Sequence, residues 1–159
     1  MENEEFDFHK IKTFEDACKR LGIPVESPIV ESCGVASAYD AANALYKLLV
    51  IQNAMNNGVW CDKDGWSYYP YWVLYSNKEM ERMSEEEKQR KSIKQLLSCA
   101  DANGAESAGV RCSVANRRGA NTGTYYGFPL CFNSEEAALY AANQFEDLFF
   151  QYYGIKVKY

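Results

Sequence analysis

Residues 66–75 read Trp-Ser-Tyr-Tyr-Pro-Tyr-Trp-Val-Leu-Tyr, and this stretch constrains the fold of the 159-residue chain more than any other. Aromatic and β-branched residues at such density favour an extended strand, and the Asp64-Gly65 pair ahead of them is a turn signal. Side chains alternate across a strand. Tyr69, Tyr71 and Val73 therefore share one face, and Tyr68, Pro70 and Trp72 the other. Both faces are bulky, so helices can cover one while the second is left for a further layer, a ligand or another chain. Pro70 has no amide hydrogen to give a ladder, which places it at an edge, a bulge or a strand end. With Trp60 and Trp66 added, the candidate interaction residues are Trp60, Trp66, Tyr68, Tyr69, Tyr71 and Trp72.

Helical periodicity surrounds this segment. Thr13 is placed to cap a helix carrying Phe14, Ala17, Cys18 and Leu21 on one face, with Gly22 as its stop. A longer helix is expected from about Ser37 to Asn56, with Gly58 just outside it. Ser84-Glu85-Glu86-Glu87 reads as a capping box for a charge-rich helix ending near Leu97. The strongest pattern comes last: Ser134-Glu135-Glu136 opens it, Ala138, Ala141, Ala142, Phe145, Leu148 and Tyr152 recur on one face, and Gly154 stops it. Short strands are expected at 108–114 and 125–132, joined as a hairpin by a loop over 115–124 that holds Arg117, Arg118 and Asn121. The fold class is therefore α+β, with three main helices packed against a small, mainly antiparallel sheet. Residues 1–12 form an acidic, flexible tail and 13–159 a single domain, in keeping with 47% apolar composition.

Charge and cysteine usage narrow the chemistry. A net charge of −5 disfavours broad electrostatic attraction to phosphate backbones, so specific nucleic-acid binding is not indicated. The six cysteines lack the close spacing of a zinc site and read as scattered buried thiols. Metal ligands and cofactors are accordingly not expected. Arg111, Arg117 and Arg118 are the candidate anion-binding residues, beside a Gly119–Thr124 stretch that lacks the lysine of a phosphate loop. Asp62 and Asp64 are the nearest acids for an enzymatic alternative, a small ligand-binding enzyme or nucleic-acid-processing factor. The acidic start and the absence of a long apolar run point to a cytoplasmic protein with no membrane partner.

Three pieces carry a resemblance: F-E-D-A-C-K-R-L-G-I at 14–23, Y-Y-P-Y-W at 68–72, and S-A-G-V-R-C with L-C-F-N-S-E-E-A-A-L-Y-A-A-N-Q-F-E-D-L-F-F at 107–112 and 130–150. In these the chain resembles an uncharacterised group of small proteins encoded by gut Bacteroidales and their phages or prophages. The resemblance implies a phage-associated setting with no assigned activity. The expected role is a non-enzymatic accessory or protein-interaction module. Self-association as a dimer is expected through the aromatic strand or through Phe149, Phe150 and Tyr153, which widen the last helix beyond its core stripe.

Overall fold

Local capping chemistry fixes where the chain turns helical. The computed structural model describes residues 6–26, 36–58, 66–96, 107–119 and 130–158. Helix α1 (Phe14–Leu21) begins at a complete capping box: the Asp16 amide donates to Thr13 Oγ1 at 3.1 Å while the Asp16 carboxylate accepts from the Thr13 amide at 3.0 Å. Gly22 ends it at φ 67°, the left-handed conformation that costs other residues about 1–2 kcal/mol. Helix α2 (Ala36–Met55) packs against α1 and contributes Leu48, Ile51, Ala54 and Met55 to the main core. Residues 7–12, assigned from sequence to the tail, run along the C-terminal helical region. There Ile11 is buried, Tyr140 donates to its carbonyl at 3.1 Å, and Gln144 donates to the Lys12 carbonyl at 2.9 Å.

Strand β1 (Trp66–Ser76) passes directly into α3 (Asn77–Arg82), followed by α4 (Glu85–Arg90), β2 (Lys94–Leu96) and β3 (Ser107–Gly119). The chain closes with α5 (Glu135–Gln144), α6 (Glu146–Tyr153) and the two-residue β4 (Val157–Lys158). The sheet order is β1-β3-β2-β4, and every pairing is antiparallel.

The expectation of three main helices is corrected. The described residues form six α-helices, four of them eight residues or longer. Two causes account for the difference. The last helical pattern breaks at Phe145 (φ −117°, ψ 27°), giving α5 and α6 where one helix was expected. The charged segment holds two short helices, and the second stops at Arg90 because Ser92 takes φ 51°. The amide of Ile93 then bonds back to the Lys88 carbonyl at 3.0 Å, and the chain enters β2 where the helix was expected to continue.

The loop expected over 115–124 is corrected over its described part, and most of the expected strand 125–132 lies outside the described residues. Strand β3 continues through 115–119 and pairs with β1, from Trp66 opposite Gly119 to Ser76 opposite Ser107. Residues 120–129 lie outside the described chain, and Phe132 makes an isolated bridge to Tyr68 with amide–carbonyl bonds of 2.7 and 3.0 Å.

The break at Phe145 has a packing consequence. Phe149 enters the core built by α1, α2 and α5, whereas Phe150 enters a second cluster with Leu96, Val110 and Val157. Trp72 joins the two, its ring 5.9 Å from Phe149 and 5.0 Å from Phe150. Its shielded indole N–H has no hydrogen-bond partner among the described residues. Phe149 and Phe150 are thus core residues, and the surplus apolar face expected on the last helix reduces to Tyr153 at its exposed end. No helix among the described residues is long and apolar enough to cross a membrane.

Candidate functional site

The alternation of β1 sorts the aromatic residues. Tyr68 and Trp72 pack on the main core, and Pro70 between them is buried, so this is the face turned toward the helices. Tyr69, Tyr71, Val73 and Tyr75 fall on the opposite face. Arg111 lies directly across from Val73 and belongs to that same outer face. Its Nε donates to the Tyr75 hydroxyl at 2.7 Å, which holds the guanidinium against the sheet. Tyr71 is 47% exposed, whereas Tyr69, Val73 and Tyr75 are half-buried. The result is a rigid, tyrosine-rich surface bordered by one fixed positive charge.

One end of this outer face is covered. Gly109, opposite Tyr75, has no side chain because α3 and the turn after α4 come down on it. A Cβ there would lie 2.6 Å from the Met80 sulfur and 2.7 Å from Ile93 Cγ2. Between α3, α4 and β2 lies a cleft of about 490 Å³ with Met80 and Ile93 in its lining and Glu81, Glu85, Lys88 and Gln95 beside them. The Glu85 carboxylate is already bound to Lys88 Nζ at 2.6 Å. Glu87 is likewise paired with Lys91 at 2.6 Å, and this bond holds its carboxyl below the usual range. These are solvent-screened pairs on the helix surface that support α4 only weakly.

The six candidate interaction residues do not form one surface. Trp60 lies outside the described residues. Trp66 begins β1, Tyr68 and Trp72 belong to the core face, and only Tyr69 and Tyr71 are on the outer face. The three arginines do not converge either. Arg117 and Arg118 pair in register with Tyr68 and Ser67, six and seven strand residues from Arg111, or roughly 20 Å at about 3.3 Å per residue. Asp62 and Asp64 lie outside the described residues. Among the described residues no group of three histidine, cysteine or acidic side chains is placed to hold a metal ion. His9 Nδ1 lies 2.9 Å from the Asp7 carboxylate, which accepts from it, and the ring meets Tyr140, so His9 serves the N-terminal packing. Cys18 and Cys131 are buried, and burial pushes the Cys18 thiol upward, away from the reactive thiolate.

Residue-level reasoning missed two contributors. Phe132 was read as a hairpin strand residue, yet it caps the outer edge of β1 at Tyr68. Gln52, in the last turn of α2, and Asn56, just after it, are buried, and both donate to the Cys131 carbonyl, at 2.8 and 3.0 Å. Asn56 also accepts from the Asn133 amide at 3.2 Å. This clamp fixes the 131–133 segment and, through Phe132, the start of β1. An amphipathic pattern with a glutamine and an asparagine on its apolar face is the only sequence signal of it.

No known protein family, curated protein or solved structure matches the chain.

Proposed function

We propose that this protein is a non-enzymatic protein-binding module that takes its partner on the outer face of the sheet, at Tyr69, Tyr71 and Val73 beside the Tyr75–Arg111 pair. The observation that supports this reading is Tyr71, 47% exposed in the middle of a row of tyrosines on a rigid strand, with the Arg111 guanidinium held 2.7 Å from Tyr75 at its border. Tyrosine and arginine are the residues that concentrate binding energy at protein interfaces, because they bring large contact area with little rotamer freedom to lose. The matching partner presents an apolar patch with a carboxylate at its rim. A cytoplasmic phage or prophage accessory role, the setting the sequence resemblance implies, is part of the proposal.

The test is affinity capture from cells expressing the associated phage genes, followed by titration of the captured partner. Tyr71→Ala is expected to weaken binding by roughly 30-fold, the loss of a central anchor, while the far-UV circular dichroism stays that of the parent. A partner held equally well by Tyr71→Ala and Val73→Asp would refute the surface. Turnover of a small molecule by the purified chain alone would refute the class.

A further inference from the structure

The cleft of about 490 Å³ between α3, α4 and β2 has the size of a small-ligand site, since such pockets run from about 300 to 1,000 Å³. Its lining comes from residues 77–95 alone, which the structure describes without a gap. The cleft is also preformed. Met80 and Ile93 make its floor, and both sit in the space that Gly109 leaves by having no side chain. Serine caps fix the starts of the two helices, with the Glu79 amide donating to Ser76 Oγ and the Glu87 amide to Ser84 Oγ. The turn into β2 is tied by the Ser92 amide to the Gln89 carbonyl at 2.9 Å and by the Ile93 amide to the Lys88 carbonyl at 3.0 Å.

The charges around this floor do not balance. Glu81, Glu85 and Lys88 are the charged side chains of the lining. Glu85 and Lys88 neutralise each other at 2.6 Å, and the Lys88 side chain is 21% exposed, so its ammonium is held in that pair. Glu81 has no ion-pair partner among the described residues. The cavity therefore presents one uncompensated carboxylate beside a methionine and an isoleucine. Glu81 repels an anion, and a neutral apolar ligand would strip water from that carboxylate without replacing it. One positive charge on an apolar stem suits both parts of the lining, as when lysine and arginine lay their methylenes on apolar surface and keep the charged head outside.

We propose that this cleft binds an alkyl cation, with an ammonium or guanidinium head at Glu81 and an aliphatic stem against Met80 and Ile93. A free small amine and a lysine or arginine side chain of another protein share this chemistry. The inference does not rest on the tyrosine surface, which lies on the other side of the Met80–Ile93 contact with Gly109.

The test is titration of the full chain with butylammonium and butylguanidinium chloride at constant ionic strength, followed by the Met80 methyl resonance. Saturable shifts with dissociation constants on the order of millimolar are expected for ligands of so few atoms, and butanol and butyrate should leave the resonance in place. Glu81→Gln is expected to weaken binding about three- to fivefold, and Lys88→Met, which releases the Glu85 carboxylate, to strengthen it about twofold, both with unchanged circular dichroism. A blocked Gly-Arg-Gly peptide separates the two sources: binding at least as tight as that of butylguanidinium supports a partner's side chain, and its exclusion supports a free amine. Tyr71→Ala is expected to leave every one of these titrations unchanged, so this proposal and the protein-binding surface fail separately. Absence of saturation by either cation up to about 50 mM overturns the site, as do equal shifts from butanol or undiminished binding by Glu81→Gln.

Discussion

Removing the amide groups at the end of α2 should show strong non-additivity, because both act on one carbonyl. Gln52 is 0% and Asn56 2% exposed, and both donate to Cys131 O, at 2.8 and 3.0 Å. In Gln52→Ala the carbonyl keeps its bond from Asn56. The bond from Gln52 to Cys131 O is lost, about 1 kcal/mol, together with the contacts of the truncated side chain. Asn56→Ala loses two bonds, the donation to Cys131 and the acceptance from Asn133 at 3.2 Å, so about 2 kcal/mol before any cavity cost. In the double variant the carbonyl loses both of these donors at once, and the greater part of the desolvation cost of a buried acceptor, up to about 1–3 kcal/mol, falls there. The double variant should therefore be less stable than the sum of the two singles by roughly 1–2 kcal/mol. Urea unfolding of all four proteins measures this, with m-values compared to exclude a change in the unfolded state. Strict additivity would mean that the two amides act independently of the shared carbonyl and would refute the clamp.

Two further outcomes follow from the short helices. Ser92→Gly should stabilise the protein by about 0.5–1 kcal/mol, since glycine relieves the left-handed φ of 51° at the end of α4 and loses part of that gain to its freer unfolded chain; a fall in melting temperature would contradict this. Hydrogen bonds from the Ser76 amide and hydroxyl hold the Glu79 carboxyl below the ordinary glutamate value. Its contribution to α3 is thus present above that ordinary value and lost as pH falls through the depressed one. Glu79→Gln should flatten that part of the acid dependence in thermal melts, and a Glu79 titration at or above the ordinary value, seen by carboxyl NMR, would refute it.

Helix ends were readable where glycine marks them and misread where it does not. Gly22 and Gly154 stop α1 and α6 in left-handed conformations, and Gly58 follows α2 in the same region. Serine carries the identical backbone role after α4, and serine has no particular preference for it, so the charged helix was extended to Leu97 across what is β2. Phe145 is harder still. Its residue type and spacing suit an uninterrupted amphipathic helix, and the break arises from tertiary demand. Phe149 must reach the α1–α2 core while Phe150 reaches Val110 and Val157 on the sheet side. Neighbouring residues on one regular helix point about 100° apart, so two clusters are served by one helix only when its axis is free to reorient. Pairing partners were the least legible. The density of Asn, Arg and Gly over 115–124 suggested a loop, but β1 supplies a full-length partner that carries β3 through Arg117 and Arg118 to Gly119. Partnership of that kind overrides local propensity and leaves no local trace.

Pro70 shows where the candidate surface itself lay beyond the sequence. A proline within an aromatic strand restricts the assignment to an edge or an irregularity, and alternation alone separates Tyr69 and Tyr71 from Tyr68 and Trp72. Which of those faces is open depends on where α6 docks, through Trp72 against Phe149 and Phe150. Which side of the strand is the edge depends on β3 binding the odd-numbered residues. Given that choice, the missing amide of Pro70 points away from the ladder, beside the Phe132 bridge, and β1 runs for eleven residues along β3, with register shifts after Tyr71 and after Tyr75. Pro70 therefore occupies an edge strand, one of the positions its missing amide allows.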